Sequence, residues 1–485
     1  MDFLDPQKQK AHATRLAIGY AVIGLTLLLG TTILLYQAYG FGIDRNGRVI
    51  QNGLVFFSSQ PAGAKILVNG QNRAATNTRL ILAAGGYTVQ LQRIGYNTWR
   101  RAITVDGGSV ERFDYPFLVP TTLTTAVTKQ YTEAPSFASQ SNDHHWLMIP
   151  TISQDQLDLY DLSVAKPVAK PLVLPTAIFA AGTATTGWVP VVWASDNRHV
   201  ILQRLYQRGG QAGSEYVLLD RQDPAQSQNL TTLLGFNPSQ LELKGGAYDQ
   251  YYAYDQNAQQ LFTATLKKPT PVPLLQDVLG FETDGTTVLY ATADGAPAGR
   301  VFIRMIVGAK TYTIHESLAG MPLLALANYR GIRYVAVGTN ADNKVFVYKD
   351  PAATLDSKQV LVPIEILKTT AANYVAFSTN ARFVVAEDGQ QFTVYDAETN
   401  KGYAFTAKAP LDVPQLHAAW MDGFHLDYVS SGKLNILDFD GTNVQALSAA
   451  SPSYLPFFTQ NYHTLYTLDA NKALTSTPLL TPADQ

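Results

Sequence analysis

The sequence predicts a mainly β protein carried on one N-terminal transmembrane helix. A small β-sandwich is expected first, then a β-propeller of seven or eight blades, eight favoured. Three observations carry this. An uncharged apolar run, Leu16 to Tyr39, stands near the start of the 485 residues. A compact stretch of short strand-like runs and glycine turns follows it. The rest of the chain loosely repeats a strand–turn–strand unit, with starts spaced by about 33 to 56 residues, the period range of propeller blades.

The apolar run reads LAIGYAVIGLTLLLGTTILLYQAY. At about 1.5 Å per helical residue it reaches roughly 36 Å, enough to cross a hydrocarbon core about 30 Å thick. A cleaved signal peptide has an apolar core of about 7–15 residues and a small-x-small cleavage site. This run is longer, and its end, LLYQAYGFG, offers no A-x-A pattern. A buried helix of a soluble domain would show polar punctuation at helical spacing; here Thr26, Thr31 and Thr32 interrupt the interior. An uncleaved signal anchor over 16–39 is expected. Lys8, Lys10 and Arg15 precede it, and Arg45 and Arg48 follow. That bias favours a cytoplasmic tail, 1–15, and an extracytoplasmic remainder. Tyr20, Tyr36 and Tyr39 are candidate interfacial anchors.

Composition bounds the chemistry. Charged residues make up 15% of the chain, against about a quarter in ordinary globular proteins. Cysteine is absent, which excludes disulfides, zinc–thiolate sites and thiol catalysis. The net charge of −2 is unevenly placed. Residues 54–120 carry Lys65, Arg73, Arg79, Arg93, Arg100, Arg101 and Arg112 against Asp106, Glu111 and Asp114. A basic module therefore precedes an acidic remainder. Either it is ordinary solvated surface, or it faces an anionic surface of lipid or wall polymer. No basic stripe with interleaved aromatics is present, so nucleic acid is not an expected partner.

Residues 40–53, GFGIDRNGRVIQNG, hold two Asn-Gly pairs and read as a linker. In 54–120, strand-like runs appear at LVFFSS, AKILV, LILA, YTVQLQRI, WRRAITV and VERFDY. Turn signals at Asn69-Gly70, Gly85-Gly86, Gly95 and Asp106-Gly107-Gly108 divide them. Six short strands in so few residues suggest a compact sandwich.

The strings SSQPAGAKILVNG and TNTRLILAAGGYTVQLQRIGY resemble the PEGA domain. Pro61-Ala62-Gly63-Ala64 stands where that family has its P-E-G-A turn. Asn69-Gly70 matches its D/N-G turn, and Gly95-Tyr96 its final G-Y. Two departures are visible: Ala62 replaces the glutamate, and Thr76-Asn77 or Thr78-Arg79 stands for a T-P pair. The resemblance implies a surface or envelope module that binds or spaces, and names no ligand. Tyr96 and Trp99 are expected to pack on the central hairpin.

Residues 121–136 form a Thr-rich connector, PTTLTTAVTKQYTEAP with the preceding Pro120, able to contribute a strand. From 137 to 485 the units begin with an aromatic and an Asp/Asn turn and close on a Φ-x-Φ-Φ-D strand. Examples are VVWASDNRHVILQRLYQRGGQAGSEYVLLD and VAFSTNARFVVAEDGQQFTVYDAETN. They resemble TolB-like propellers. Trp193-Ala194-Ser195-Asp196-Asn197 and Phe377-Ser378-Thr379-Asn380 are reduced forms of that family's opening turn. Leu437-Asp438-Phe439-Asp440-Gly441-Thr442-Asn443 is close to its closing hairpin.

The chemical candidates are sparse. Asp438, Asp440 and Asn443 are either a calcium loop or a self-satisfied turn with Gly441; they lack the EF-hand's downstream Glu. His144 and His145 are adjacent, and neighbours on a strand point to opposite faces. His199, His315, His417, His425 and His463 fall in different units. Tyr248, Tyr251, Tyr252 and Tyr254 are blade core or a sugar-stacking cluster. No zincin, nucleophile-elbow or Walker motif occurs. No catalytic, metal or cofactor residue is therefore assigned. The expected function is a bacterial, membrane-anchored envelope scaffold binding protein or cell-wall glycan. The alternative is a glycan- or peptide-active propeller enzyme with its site at the central channel, which convergent carboxylates or histidines would favour. A sensor ectodomain is a third class, and the short tail would need a signalling partner.

Overall fold

A computed structural model describes residues 6–38, 40–43, 49–151, 156–412, 417–481 and 484. Two compact units divide it: Met1–Thr122 with Thr481–Gln485, and Leu123–Leu480.

The first unit begins with helix α1, Pro6–Ala38. Within it Gln9–Gln37 is long and apolar enough to cross a membrane, and is not buried by the rest of the chain. A bare helix can lie in hydrocarbon only if its polar groups are satisfied internally. Thr26 Oγ1 donates to the Val22 carbonyl and Thr32 Oγ1 to the Leu28 carbonyl, both at 2.8 Å.

Eight strands follow in two four-stranded sheets. They are β1 (Phe41–Ile43), β2 (Val49–Phe57), β3 (Lys65–Val68), β4 (Gln71–Ala75), β5 (Thr78–Ala83), β6 (Gly85–Gln92), β7 (Trp99–Val105) and β8 (Val110–Phe113). In the first sheet β2 is antiparallel to β1 and β5 and parallel to β8. The second runs β4-β3-β6-β7. Alternation assigns the faces. Val55 and Phe57 of β2 are buried with Phe113, and Ile66, Val89, Leu91, Trp99 and Val105 of the second sheet are buried too.

The stretch 40–53, expected as a linker, instead carries β1 and the start of β2. Phe41 pairs with Gln51 and Ile43 with Val49. Asn52-Gly53 is no turn but mid-strand. A Cβ on Gly53 would lie 2.5 Å from Val105 Cγ1, so this glycine permits close approach of strands rather than a bend. The other Asn-Gly pair, Asn46-Gly47, lies outside the described residues.

The second unit contains eight four-stranded antiparallel sheets among the described residues, the first seven each a meander of consecutive strands. They span 139–173, 184–229, 240–275, 278–318, 322–368, 374–406, 419–449 and 457–478. The last holds only three strands of its own. Its fourth is β9, Ala126–Gln130, from the expected connector, paired antiparallel to Ala473–Pro478. The unit is thus a β-propeller whose two ends are stitched into one sheet.

The apolar core runs between sheets, not within them. Met148 and Leu157 of the first sheet cluster with Trp188, Val200 and Val217 of the second. Leu323 and Val345 of the fifth cluster with Val375 and Val384 of the sixth. Tyr466 and Leu474 of the last cluster with Leu147 and Ile149 of the first. Each sheet is apolar on both faces and buries them only against its neighbours, which is why the unit repeats.

Candidate functional site

The opening Asp/Asn turn and the closing Asp of the repeat meet in space. In four sheets a basic side chain just after the turn, Arg or His, reaches the Asp that ends the third strand. His145 Nε2 lies 3.0 Å from Asp161, Arg198 2.5 Å from Asp220, Arg382 2.7 Å from Asp396, and His425 3.5 Å from Asp438. The turn side chain meanwhile accepts backbone N–H groups: Asp196 from Arg198 and His199, Asp422 from Phe424 and His425. These residues knit the blade and leave the chemistry to other positions.

The first strands of successive sheets face one another: Val278–Asp284, Pro322–Tyr329 and Tyr374–Phe377 pack in order. Acidic side chains gather around them. Glu242, on the first strand of the third sheet, accepts from Thr283 Oγ1 at 3.0 Å and Gln240 Nε2 at 2.6 Å. Glu282 sits beside it. Burial first, and the Glu242 charge second, push the Glu282 carboxyl up to about 8. Glu242 is also raised by burial, against the pull of its two hydrogen bonds.

Tyr374 lies in the same field. Burial, then Glu387, Glu282 and Asp427, push its phenol up to about 12. The His417 ring lies flat on Tyr374, centroids 4.2 Å apart and planes 4° from parallel. His417 Nδ1 is 3.0 Å from Glu387 Oε1, which also accepts the Ala418 N–H at 2.9 Å. Glu387 is fully buried, and its Oε2 finds no hydrogen-bond partner. Asp427 is raised well above the carboxylate range, by burial first and Asp422 second. His417 and Asp427 share the wall of a cavity of about 20 Å³, room for one water.

This arrangement favours a proton on Glu282 at neutral pH, places an imidazole on a phenol, and leaves one buried carboxyl oxygen of Glu387 open to a donor. It can bind a hydrogen-bond donor or cation and can move protons. No group of three His, Cys, Asp or Glu able to hold a metal occurs among the described residues.

A second cleft, of about 390 Å³, is lined by His144, His145, Ser163, Asn461, His463 and Tyr466, among others. His144 takes a left-handed φ of +60°, so the adjacent histidines are not on a strand and both reach this one cleft. That differs from the expectation of opposite faces. His199 pairs with Asp196 at 2.6 Å, and His315 with the Tyr348 hydroxyl at 2.8 Å; neither joins the inner acids.

Tyr251, Tyr252 and Tyr254 are buried blade core, whereas Tyr248 is exposed and stacks on His199. Asn443 Nδ2 donates to Asp438 Oδ2 at 2.9 Å, Thr442 Oγ1 to Asp440 at 2.7 Å, and Gly441 turns at φ +80°. In the small unit the Gln60–Pro61 bond is cis, and Gly63, Asn69, Gly70 and Gly95 all have positive φ. Ala62 follows Pro61 in a bend, and its carbonyl accepts from Arg93. Ala64 and Tyr96 are buried.

The sequence offered His417 only as one of five histidines in different units, and its partners Glu387, Tyr374 and Asp427 drew no notice. The signal was an acid at an otherwise apolar strand position, as in FVVAE for Glu387 and HLDYV for Asp427.

The PEGA domain family matches residues 52–118. No curated protein matches the chain. Solved structures similar to it include Hsv2 of Kluyveromyces marxianus, at 12% identity over 63% of this chain and 93% of that one, TM-score 0.40. The Cps50 (Swd1) β-propeller domain of Myceliophteria thermophila is similar at 13% identity over 67% and 99%, TM-score 0.36. An uncharacterised protein of Listeria monocytogenes is similar at 10% identity over 68% and 94%, TM-score 0.39.

Proposed function

We propose that this chain is a membrane-anchored envelope protein of a bacterium, a non-enzymatic scaffold for an envelope protein or cell-wall glycan. Helix α1 is its single-pass uncleaved anchor, with 1–15 cytoplasmic and the rest extracytoplasmic. Residues 54–120 form a PEGA-like β-sandwich that spaces or binds, its turns shaped by Pro61, Ala62, Gly63, Ala64, Asn69, Gly70, Gly95 and Tyr96. Residues 137–485, with β9, form one closed eight-bladed propeller, in which Asp438, Asp440, Gly441 and Asn443 are a structural turn.

The observation that carries this reading is the pairing of β9 with Ala473–Pro478. Joining both ends of the repeat in one sheet makes a rigid platform with many loop tips, the form in which binding surfaces are displayed on a fixed frame. The test is crosslinking of the full chain in its native membranes, read by mass spectrometry. Crosslinks from loops of the second unit to a defined envelope protein or wall polymer are expected. Crosslinks confined to the chain itself count against a scaffold.

The inner acids favour a second reading, an enzyme acting on glycan or peptide. Glu282 would donate a proton and His417, set by Glu387, would accept one. Loss of a hydrolytic activity in both Glu282→Gln and His417→Gln chains, with partner crosslinks intact, would select it.

A further inference from the structure

The outward face of the first sheet carries a two-row pattern. Its strands set Ile81, Leu54 and Val110 side by side, since Leu54 pairs with both. The next outward row is Arg79, Phe56 and Arg112, by the same registers. The inward neighbours Val55 and Phe57 are buried, so alternation turns these two rows outward. Ile81 is 71% exposed and Val110 60%. Arg112 lies over the Phe56 ring, 4.4 Å from its centroid. Among the described residues neither Arg79 nor Arg112 has an ion-pair partner. The acid bordering this face, Asp114, receives the Ser58 hydroxyl at 3.4 Å.

An apolar row beside a cationic row with an aromatic at its centre is the composition of an interfacial surface. Apolar side chains enter the acyl boundary, while arginines hold lipid phosphates. A soluble anionic polymer would use the arginines and leave Ile81, Leu54 and Val110 in water. The face is also tethered: β2 begins eleven residues after α1 ends, and an extended chain of that length reaches no more than about 40 Å. We propose that this face docks on the anionic lipid surface of the membrane that holds α1. The inference rests on α1 being an anchor.

The absence of cysteine makes the test direct. Ile81→Cys and Val110→Cys chains, and a Val360→Cys control on the exposed surface of the second unit, are spin-labelled. Each full chain is reconstituted in vesicles of phosphatidylcholine with or without about 30% phosphatidylglycerol, a composition chosen for its negative surface potential. The readout is the ratio of oxygen to nickel-chelate accessibility. In anionic vesicles the ratio is expected to rise several-fold at 81 and 110 but not at 360. It should fall back in Arg79→Gln/Arg112→Gln chains and at 1 M salt, where screening shortens to about 3 Å.

Labels at 81 and 110 that match 360 while the protein co-floats with vesicles overturn the docking and leave the anchor standing. Failure to co-float overturns both. An equal rise in neutral vesicles, or one that survives loss of the arginines, overturns the anionic-lipid assignment. Protection only on adding purified wall polymer gives the face to the polymer and overturns the proposal.

Discussion

Arg93 forks onto the carboxylate of Asp484, 391 residues further along the chain. Arg93 also donates to the Ala62 carbonyl. The Tyr96 hydroxyl donates to Asp484 at 2.7 Å and accepts the Thr481 N–H at 2.9 Å. The end of the chain is thus clipped to the turn that Gly95 and Tyr96 form, with Thr481 Cγ2 3.2 Å from where a Cβ on Gly95 would stand.

The clip is pH-dependent. Its hydrogen bonds with Arg93 and Tyr96 hold the Asp484 carboxyl down at about 2. A depressed acid contributes stability that is full above its unfolded value, about 3.9, and lost as pH falls through its folded one. Hydrogen-exchange protection over β6 and the turn around Gly95, relative to the intrinsic rate at each pH, should therefore fall between about pH 4 and pH 2. Asp484→Asn should remove that dependence and cost about 1 kcal/mol locally, the scale of an accessible ion pair.

Glu282 runs the other way. Its folded pKa, about 8, lies above the unfolded value, so the folded state holds a proton that the unfolded state releases. Stability must fall as pH rises from about 4.3 towards 8, and level off above. Glu282→Gln should flatten that slope and raise the denaturation midpoint at pH 8. Denaturant titrations at pH 5, 6.5 and 8 check it.

The repeated turn-cation pair is testable at Arg382. Its guanidinium donates twice to Asp396, at 2.8 and 2.7 Å, and Asp396 is almost fully buried. Arg382→Met leaves that carboxylate buried beside only neutral donors from Glu398 N–H and Thr399. A loss of about 3 kcal/mol is expected in equilibrium unfolding. Pairing it with Asp396→Asn should recover most of the loss.

Two glycines with nearly the same φ should respond differently to alanine. Gly70, at φ +78°, has open space around its absent Cβ. Gly70→Ala should cost only the backbone term, about 1 kcal/mol. Gly441, at φ +80°, would set a Cβ 2.3 Å from Phe405 Cγ. Phe405 is itself stacked on Phe392 at 5.0 Å, so it cannot swing away freely. Gly441→Ala should add an overpacking penalty of about 1–3 kcal/mol. Thermal melts of the two chains make the comparison.

Local features were readable from the sequence. The apolar run, the Asn69-Gly70 hairpin and the strand runs of the small unit all follow from periods and turn residues a few positions apart. The repeated Φ-x-Φ-Φ-D strand was readable too, but not the pairing of Asp396 with Arg382, because the basic residue differs from sheet to sheet. Residues 40–53 misled because Asn52-Gly53 has the composition of a turn; what made it strand was close packing on Val105. The inner acids Glu242, Glu282 and Glu387 come from three sheets, and only the packing of successive sheets sets Glu242 beside Glu282 and brings Glu282 and Glu387 to bear on Tyr374. The Arg93–Asp484 clip had no local signal, because its halves lie 391 residues apart.

The proposed anchor requires that α1 remain in the mature protein. The intact mass of the protein extracted from its own membranes tests this most directly. A mass that includes Leu16–Tyr39 is expected, in a membrane fraction resistant to alkaline carbonate. A mature chain beginning after Tyr39, recovered in the soluble fraction, would contradict it.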